Sequence, residues 1–296
     1  MRALIAGASG LVGSALVPLL TAEGWEITRL VRASPRAGEI EWHPDRESID
    51  APVVEGFDAV INLSGDGIAS GRWTDEKKRR ILDSRVSGTR LLSETMANLS
   101  RKPATFINAS AIGFYGSQGD RLVDEDSGPG EGFLAQVCRE WESATGPAEQ
   151  AGVRVVKLRL GVILTKQGGI MGSMLMPFKL GLGGKVGAGN QVMSWVAMDD
   201  VVSAISFILS HQTLRGPINV VAPRPVTNAE FTKTLGRVLS RPTFMAMPTF
   251  AARLAFGEMA DEMMLSSTRV AGKVLNDAGF RFQYPELEGA VREMLR

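Results

Sequence analysis

A glycine-rich segment near the start of the chain, Gly7-Ala8-Ser9-Gly10-Leu11-Val12-Gly13, constrains the fold more than any other feature. The apolar run 3–6 before it predicts a buried parallel strand, because the run does not alternate and ends at a glycine. The apolar spacing of residues 14–20 after it is typical of a helix. This order of strand, glycine loop and helix predicts a dinucleotide site, with the pyrophosphate at the helix N-terminus. A glycine-rich turn of some other α/β protein is the alternative interpretation.

The contacts expected from this loop are those of its backbone and small side chains. We predict that the cofactor is bound here by Gly7, Ser9, Gly10, Leu11, Val12 and Gly13.

The end of the second predicted strand, 25–32, indicates which dinucleotide is bound. A site for NAD usually has an Asp or Glu here, which accepts hydrogen bonds from the adenosine ribose. The strand instead ends at Val31 and Arg32, and no carboxylate follows until Glu39. A guanidinium at this place suits the 2′-phosphate of NADP through forked, charge-assisted hydrogen bonds. We therefore predict NADP(H) as the cofactor, with Val31 and Arg32 among its contacts; a solvated arginine is the alternative.

Two further segments supply candidate contacts to the cofactor. The predicted strand 58–63 ends in small residues, so Leu63, Ser64 and Gly65 are expected at the carboxyl edge of the sheet, where ligands bind. In the predicted helix 74–98, Arg85 lies among small residues that would let the helix pack close to the cofactor. An ordinary turn and a solvated arginine are the alternatives.

Composition narrows the class of protein. The chain has 296 residues, a formal net charge of +1, two histidines and one cysteine, Cys138. Near-neutral charge gives no reason to expect nucleic acid or an anionic membrane as partner, and no apolar run is long enough for a membrane span. A single cysteine, expected to be buried, excludes an intrachain disulfide, and two histidines make a His-rich metal site implausible. With the first strand starting at residue 2, we expect no secretory signal and a cytoplasmic protein with a small-molecule substrate. The oligomeric state cannot be deduced.

The order of predicted elements, with Ser110 at the end of the next strand, 105–110, and Tyr115-Gly116 close behind, carries a family resemblance. Together with the glycine loop and the turn 62–65, it resembles an extended short-chain dehydrogenase/reductase of the NAD-dependent epimerase/dehydratase type. The resemblance implies an α/β fold with a doubly wound parallel sheet (Rossmann). It also implies a catalytic Ser or Thr, with a Tyr and a Lys four residues apart, and it places Ile163 near the nicotinamide.

The chain departs from that catalytic pattern. Ser110 falls where the family's serine falls, but the segment expected to hold the Tyr and Lys offers Phe133 with Val137, or Leu134 with Cys138. The candidate catalytic residues are therefore Ser110, to hydrogen-bond the substrate oxygen, and Tyr115, to donate a proton. Water or a substrate group would otherwise supply the proton.

The departure makes the chain similar to an atypical subgroup with a small C-terminal domain of unknown function. The segments that carry this similarity are 72–74, 133–142, 177–184 and 225–231, with 278–282 and 284–287 near the end of the chain. We predict an NADP-binding domain of residues 1–165 plus about 198–222. Residues of about 166–197 plus 223–296 would form a smaller, mostly helical substrate domain, interleaved with the first.

Three functions compete at this point. The first is an NADP(H)-dependent oxidoreductase that acts on a carbonyl or a sugar-nucleotide-like substrate. The second is a catalytically silent NADPH sensor, which the loss of both Tyr and Lys supports. The third is a true sugar-nucleotide epimerase, which would need the missing base.

Overall fold

The computed structural model describes residues 1–69 and 71–296, with the side chains of Ile170 and Ser173 excepted. In these ranges the strands are β1 (Arg2–Ala6), β2 (Glu26–Val31), β3 (Glu39–His43), β4 (Ser48–Ile49), β5 (Ala59–Asn62), β6 (Thr105–Ala111), β7 (Leu122–Val123), β8 (Arg154–Leu160), β9 (Val162–Leu164), β10 (Val192–Met193), β11 (Trp195–Ala197), β12 (Gly216–Val220), β13 (Val226–Thr227) and β14 (Arg269–Val270). The α-helices are α1 (Leu11–Ala22), α2 (Ala51–Val54), α3 (Asp75–Asn98), α4 (Phe133–Ser143), α5 (Gly146–Gln150), α6 (Gly169–Lys179), α7 (Met198–Ser210), α8 (Asn228–Leu239), α9 (Thr249–Phe256), α10 (Lys273–Asp277) and α11 (Leu287–Leu295).

The main sheet has the strand order β12-β8-β6-β5-β1-β2-β3-β4. All neighbours are parallel except β3 and β4, which are antiparallel. From β1 the chain first builds outward through β2 and β3, and then returns to add β5 on the other side of β1. The order therefore reverses between β1 and β5, and ligands bind at the carboxyl ends of strands beside such a reversal. The predicted doubly wound parallel sheet is confirmed.

Helices cover both faces of this sheet, which is why residues 3–6 of β1 are all apolar and buried. Ala3 and Ile5 pack with α1 and α7 on one face, while Leu4 and Ala6 pack with α3 on the other. The sharp start of α3 follows from Thr74, whose side chain accepts the N–H of Lys77 at 3.2 Å.

The chain leaves the main sheet after β8 and comes back to it with β12, which pairs with β8. Between and after these strands, α6, α8 and α11 pack around a second core that includes Phe231, Leu235, Trp195 and Val291. The interleaved, mostly helical C-terminal part is therefore present, and the exact division into two domains stays a prediction. Within the described ranges, no helix is both long and apolar enough to cross a membrane.

Candidate cofactor and substrate site

The glycine loop forms a tight cradle between β1 and α1. Gly7 has φ +77°, a conformation that favours glycine, and a Cβ there would lie 2.7 Å from the carbonyl carbon of Leu63. A Cβ on Gly13 would lie 2.2 Å from the Gly7 carbonyl oxygen. Gly10 donates its N–H to the same oxygen at 2.9 Å. The absence of side chains at Gly7 and Gly13 therefore lets the loop pack against the start of α1 and the end of β5.

The N-terminus of α1 presents its amides at this cradle. The N-cap residue is Gly10, which has no side chain to cap the helix, and the first turn contains no acidic residue. Ser9 is exposed and Leu11 is half-buried, whereas Val12 is buried, so Val12 can offer a ligand only its backbone. Unpaired amides and the helix dipole favour a phosphate at this place.

A buried hydrogen-bond network holds the turn after β5 against the cradle. Asn62 Nδ2 donates to Thr89 Oγ1 at 2.9 Å and to Asn108 Oδ1 at 2.8 Å. Ser64 Oγ donates to Asn62 Oδ1 at 2.6 Å, and Trp141 Nε1 donates to Thr89 Oγ1 at 2.9 Å. The network joins β5, β6, α3 and α4. It fixes the turn that contains the predicted residues Leu63 and Gly65.

Arg32 directly follows β2 and is exposed, while Val31 is half-buried at the strand end. Glu39, the first carboxylate after the strand, accepts the N–H of Arg36 at 3.0 Å. That carboxylate therefore closes a local turn. The carboxyl end of β2 carries a guanidinium where a site for NAD usually carries an acid.

A cavity of about 630 Å³ opens at the carboxyl edge of the main sheet. Three of the predicted residues line it: Leu11, Arg85 and Ile163. The other lining residues are mainly apolar and include Ile68, Ala111, Ile112, Leu134, Val137, Cys138, Trp141, Val162, Val192 and Met193, with Asp261, Glu262 and Met263 from the C-terminal part.

Ser110 ends up behind the wall of this cavity rather than on it. Its side chain is 2% exposed, and Oγ donates to Glu142 Oε1 at 2.7 Å. Ala111 and Cys138 form the wall at this place. The hydroxyl hydrogen of Ser110 is therefore committed to a buried carboxylate.

The geometry argues against the expected role of Tyr115 as a proton donor. Tyr115 is fully buried; its hydroxyl donates to Asn219 Oδ1 at 2.8 Å and accepts from Arg159 Nη1 at 2.9 Å. Burial raises the pKa of Tyr115, although Arg159 opposes this shift. Its proton lies in a closed network, away from the residues that line the cavity.

The centre of that network is an ion pair that the sequence did not reveal. Arg159 Nε and Nη2 each donate to one oxygen of Glu142 at 2.8 Å, and both side chains are buried. The guanidinium carbon also lies 3.5 Å from the centroid of the Phe114 ring. Burial lowers the pKa of Arg159, but the Glu142 carboxylate outweighs it and the pKa is raised. Arg159 is the one charged residue of the segment 158–164, and this was the available signal, because a buried cation requires a partner.

α4 presents Leu134 and Cys138 to the cavity, at one of the two registers expected for the family's Tyr and Lys. Burial raises the pKa of the Cys138 thiol to about 12. The thiol is therefore neutral at physiological pH and is a poor nucleophile. In the other register, Phe133 packs edge-on against Trp73, with ring centroids 5.2 Å apart. Neither register supplies an ionisable proton donor suited to neutral pH.

A carboxylate from the C-terminal part closes the N-terminus of α4. Glu262 accepts the N–H of Phe133 at 3.2 Å and that of Leu134 at 3.1 Å. Gly132 makes room for it, since a Cβ there would lie 2.3 Å from Glu262 Oε1. This contact brings the short π-helix Ala260–Met264 to the edge of the cavity. Sequence reasoning missed Glu262, because nothing local in the sequence pairs it with a helix so distant along the chain.

Comparison with known proteins agrees with this architecture along the whole chain. Residues 3–221 match the family described as NAD dependent epimerase/dehydratase family, and residues 247–294 match a domain of unknown function, DUF1731. An epimerase family protein of Mycobacterium leprae, ML0860, is 44% identical over 281 residues, which cover 95% of this chain and 91% of that protein. The human epimerase family protein SDR39U1 is 33% identical over the full length of both chains.

Solved structures give the same result. The crystal structure of human SDR39U1 with NADPH superimposes with a TM-score of 0.92 at 32% identity and covers 99% of both chains. A UDP-glucose 4-epimerase of Thermus thermophilus in complex with NAD has a TM-score of 0.78 at 19% identity, which shows a common fold alone. The resemblance seen in the sequence is confirmed: this chain belongs to the NAD dependent epimerase/dehydratase family.

Proposed function

We propose that this protein binds NADP(H) and acts as an oxidoreductase on a carbonyl group of a small molecule. The observation that carries the proposal is the glycine cradle at the reversal of the sheet, with Arg32 at the end of the neighbouring strand. The solved human relative SDR39U1, 32% identical, was crystallised with NADPH and supports the same choice of cofactor.

The residues present fit such a cofactor. The uncapped start of α1 suits the diphosphate, and Arg32 suits a 2′-phosphate. The turn after β5, with Leu63, Ser64 and Gly65, borders the cradle, and Ile163 lines the cavity where the resemblance places the nicotinamide. When bound, the cofactor supplies the hydride.

The proton that accompanies the hydride needs a source other than the usual tyrosine. Ser110 donates to Glu142, and Tyr115 donates to Asn219. Leu134 and Cys138 stand on the cavity wall, and the thiol pKa of about 12 keeps Cys138 protonated. We propose that water or a group of the substrate itself protonates the substrate oxygen. Ser110 then shapes the wall through Glu142 rather than contacting the substrate.

A second candidate is an NADPH sensor that turns nothing over. The engaged Ser110 and Tyr115 hydroxyls favour it, since an enzyme of this family without an acid–base residue loses rate by orders of magnitude. Binding and positioning alone can nevertheless leave measurable catalysis.

Turnover distinguishes the two candidates. The purified protein would be incubated with NADPH deuterated at C4 and a panel of aldehydes, ketones and 2-oxo acids, and the products analysed by mass spectrometry. The oxidoreductase predicts deuterium in an alcohol product, with NADPH oxidised in equal amount. Stoichiometric NADPH binding without deuterium transfer to any member of the panel would contradict it and favour the sensor. A Gly13→Ala variant, in which a Cβ meets the Gly7 oxygen, is the control for transfer outside the site.

A further inference from the structure

Arg85 is the one basic side chain among the described residues that line the cavity. It is half-buried, its guanidinium lies 5.1 Å from the Trp141 ring centroid, and burial lowers its pKa. A Cβ on Gly65 would lie 3.2 Å from its guanidinium carbon, so Gly65 leaves space for it. The guanidinium is thus held in a defined position on the wall.

The hydrogen bonds of Arg85 within the described chain are few. Nη1 donates to the Ile81 carbonyl at 2.9 Å and Nη2 to the Asp66 carbonyl at 3.0 Å. The Asp66 carboxylate pairs instead with Lys77 at 2.8 Å and with Arg80 at 3.5 Å. Arg85 therefore has two neutral acceptors and, among the described residues, no carboxylate partner.

Two other arginines, one buried and one partly buried, show how many hydrogen-bond acceptors such a side chain has elsewhere in the protein. Arg159 has the bidentate carboxylate of Glu142. Arg154 donates to three backbone carbonyls and to Thr105 Oγ1. A guanidinium that is partly desolvated and donates to no carboxylate is costly, and an anionic ligand would offset that cost. Arg85 differs from the other two by leaving donors for a ligand.

The charge of the cavity limits which anion this can be. Its acidic lining residues are Glu131, Asp261 and Glu262; Asp261 pairs with Arg253 at 2.9 Å, and Glu262 caps α4. Glu131 is exposed, and a single cation in the cavity suits one negative charge. The diphosphate of a nucleotide sugar carries at least two, and a mostly apolar wall would leave its remaining charge unpaired.

On these grounds, and resting on the proposed function, we infer that Arg85 binds the carboxylate of the substrate. The substrate class is a carbonyl compound with an apolar body and one carboxylate, and not a nucleotide sugar. Arg85 is then a specificity-determining residue of the cavity, in place of the cofactor contact expected from the sequence, and its removal should leave the affinity for the cofactor unchanged.

Binding to the protein loaded with NADP⁺, which carries no hydride to transfer, tests this without turnover. Aliphatic and aromatic 2-oxo acids, their methyl esters and UDP-glucose would be titrated by calorimetry. We expect the best acid to bind at least about tenfold more tightly than its ester, as a charged hydrogen bond implies, and more tightly than UDP-glucose. Acids that bind no better than their esters, or UDP-glucose as the tightest ligand, would overturn the inference.

Variants of two arginines in α3 show whether Arg85 binds the substrate carboxylate or the cofactor. Arg85→Met should weaken the acid at least about tenfold, leave the ester unchanged, and keep NADPH affinity near wild type. Arg85→Lys, which retains charge without the fork, should give a smaller loss. Arg90→Met, an exposed arginine of the same helix, is the matched control and should change neither ligand. An equal loss of NADPH and acid affinity in Arg85→Met would show that Arg85 serves the cofactor, and the inference would fail.

The inference and the proposed function can fail separately. Acid binding that depends on Arg85 without NADPH oxidation would refute the oxidoreductase and leave the carboxylate site standing. Equal NADPH-dependent reduction of charged and uncharged carbonyls, unaffected by Arg85→Met, would support the oxidoreductase and remove the carboxylate site.

Discussion

The glycine cradle and the α4 wall of the cavity differ in how closely they follow the pattern of the family. On one side, the loop after β1 is built from glycines that have no room for a side chain, as a dinucleotide site requires. On the other side, α4 offers Leu134 and Cys138 where a Tyr and a Lys are expected. The protein has thus kept the features suited to cofactor binding while the usual proton-transfer residues are absent.

The difference teaches that polar residues near a site need not perform its chemistry. Behind α4, the buried groups Ser110, Glu142, Arg159 and Tyr115 are hydrogen-bonded to one another. Each has its partners within the protein, so the network stabilises the wall. Arg85 shows the opposite pattern, since it lies on the wall with donors to spare.

The largest expected effect is the loss of stability when the buried network behind α4 is broken. Arg159→Met leaves the Glu142 carboxylate buried without its counter-ion, which should lower the free energy of unfolding by about 3–5 kcal/mol. Urea denaturation measures this. The double variant Glu142→Leu with Arg159→Met should recover much of the loss, because no charge is left buried.

The exposed pair of Arg224 and Glu286, 3.1 Å apart, provides the control. Arg224→Met should cost less than about 1 kcal/mol. An equal cost for Arg159→Met and Arg224→Met would contradict the structural role given to the network.

The next largest effect is expected from a substitution in the glycine cradle. Gly13→Ala puts a Cβ 2.2 Å from the Gly7 oxygen, so the loop must shift. Overpacking of this kind costs up to about 3 kcal/mol, and NADPH affinity should fall with it. Calorimetric titration and urea denaturation measure both. Gly146→Ala, where a Cβ meets nothing within 4 Å, is the matched glycine and should leave both unchanged.

A smaller effect is expected at Tyr115, where a substitution distinguishes a structural role of the hydroxyl from a catalytic one. Tyr115→Phe leaves Asn219 Oδ1 and Arg159 Nη1 without one partner each, which should cost about 1–3 kcal/mol of stability. We expect NADPH affinity and turnover per folded molecule to stay near wild type. A loss of turnover by orders of magnitude at full cofactor binding would restore Tyr115 as the proton donor.

The smallest expected effect concerns Cys138. Because burial raises its pKa to about 12, the folded protein should react negligibly with iodoacetamide at pH 8, while the unfolded chain reacts readily. The folded state favours the neutral thiol, so this contribution to stability is present below the ordinary thiol pKa and is lost as the pH rises toward 12. Fast alkylation of the native protein would show a reactive thiol on the cavity wall.

Much of the fold could be predicted from the sequence because its signals are local. The glycine loop and the apolar runs of β1 and β5 are recognisable within a few residues. Of the candidate contacts that line the cavity, Leu11 follows from the glycine loop and Arg85 from the small residues around it in α3, whereas Ile163 was expected from the family resemblance.

The network was unpredictable for the opposite reason. Tyr115 donates a hydrogen bond to Asn219, and Ser110 donates one to Glu142, and both partners are distant in the sequence. Sequence proximity to the family's serine position said nothing of those partners. Polar residues at the ends of strands predicted a catalytic site. Only the three-dimensional arrangement shows which of them face the cavity and which are buried behind its wall.

The central claim is that the cradle, completed by Arg32, binds NADPH in preference to NADH. Calorimetric titration of both cofactors into the wild type, Arg32→Ala and Arg29→Ala, an exposed arginine of the same strand, tests it most directly. We predict about a 10- to 100-fold preference for NADPH that Arg32→Ala abolishes and Arg29→Ala keeps. Equal affinities in the wild type, or a preference that survives Arg32→Ala, would contradict the claim.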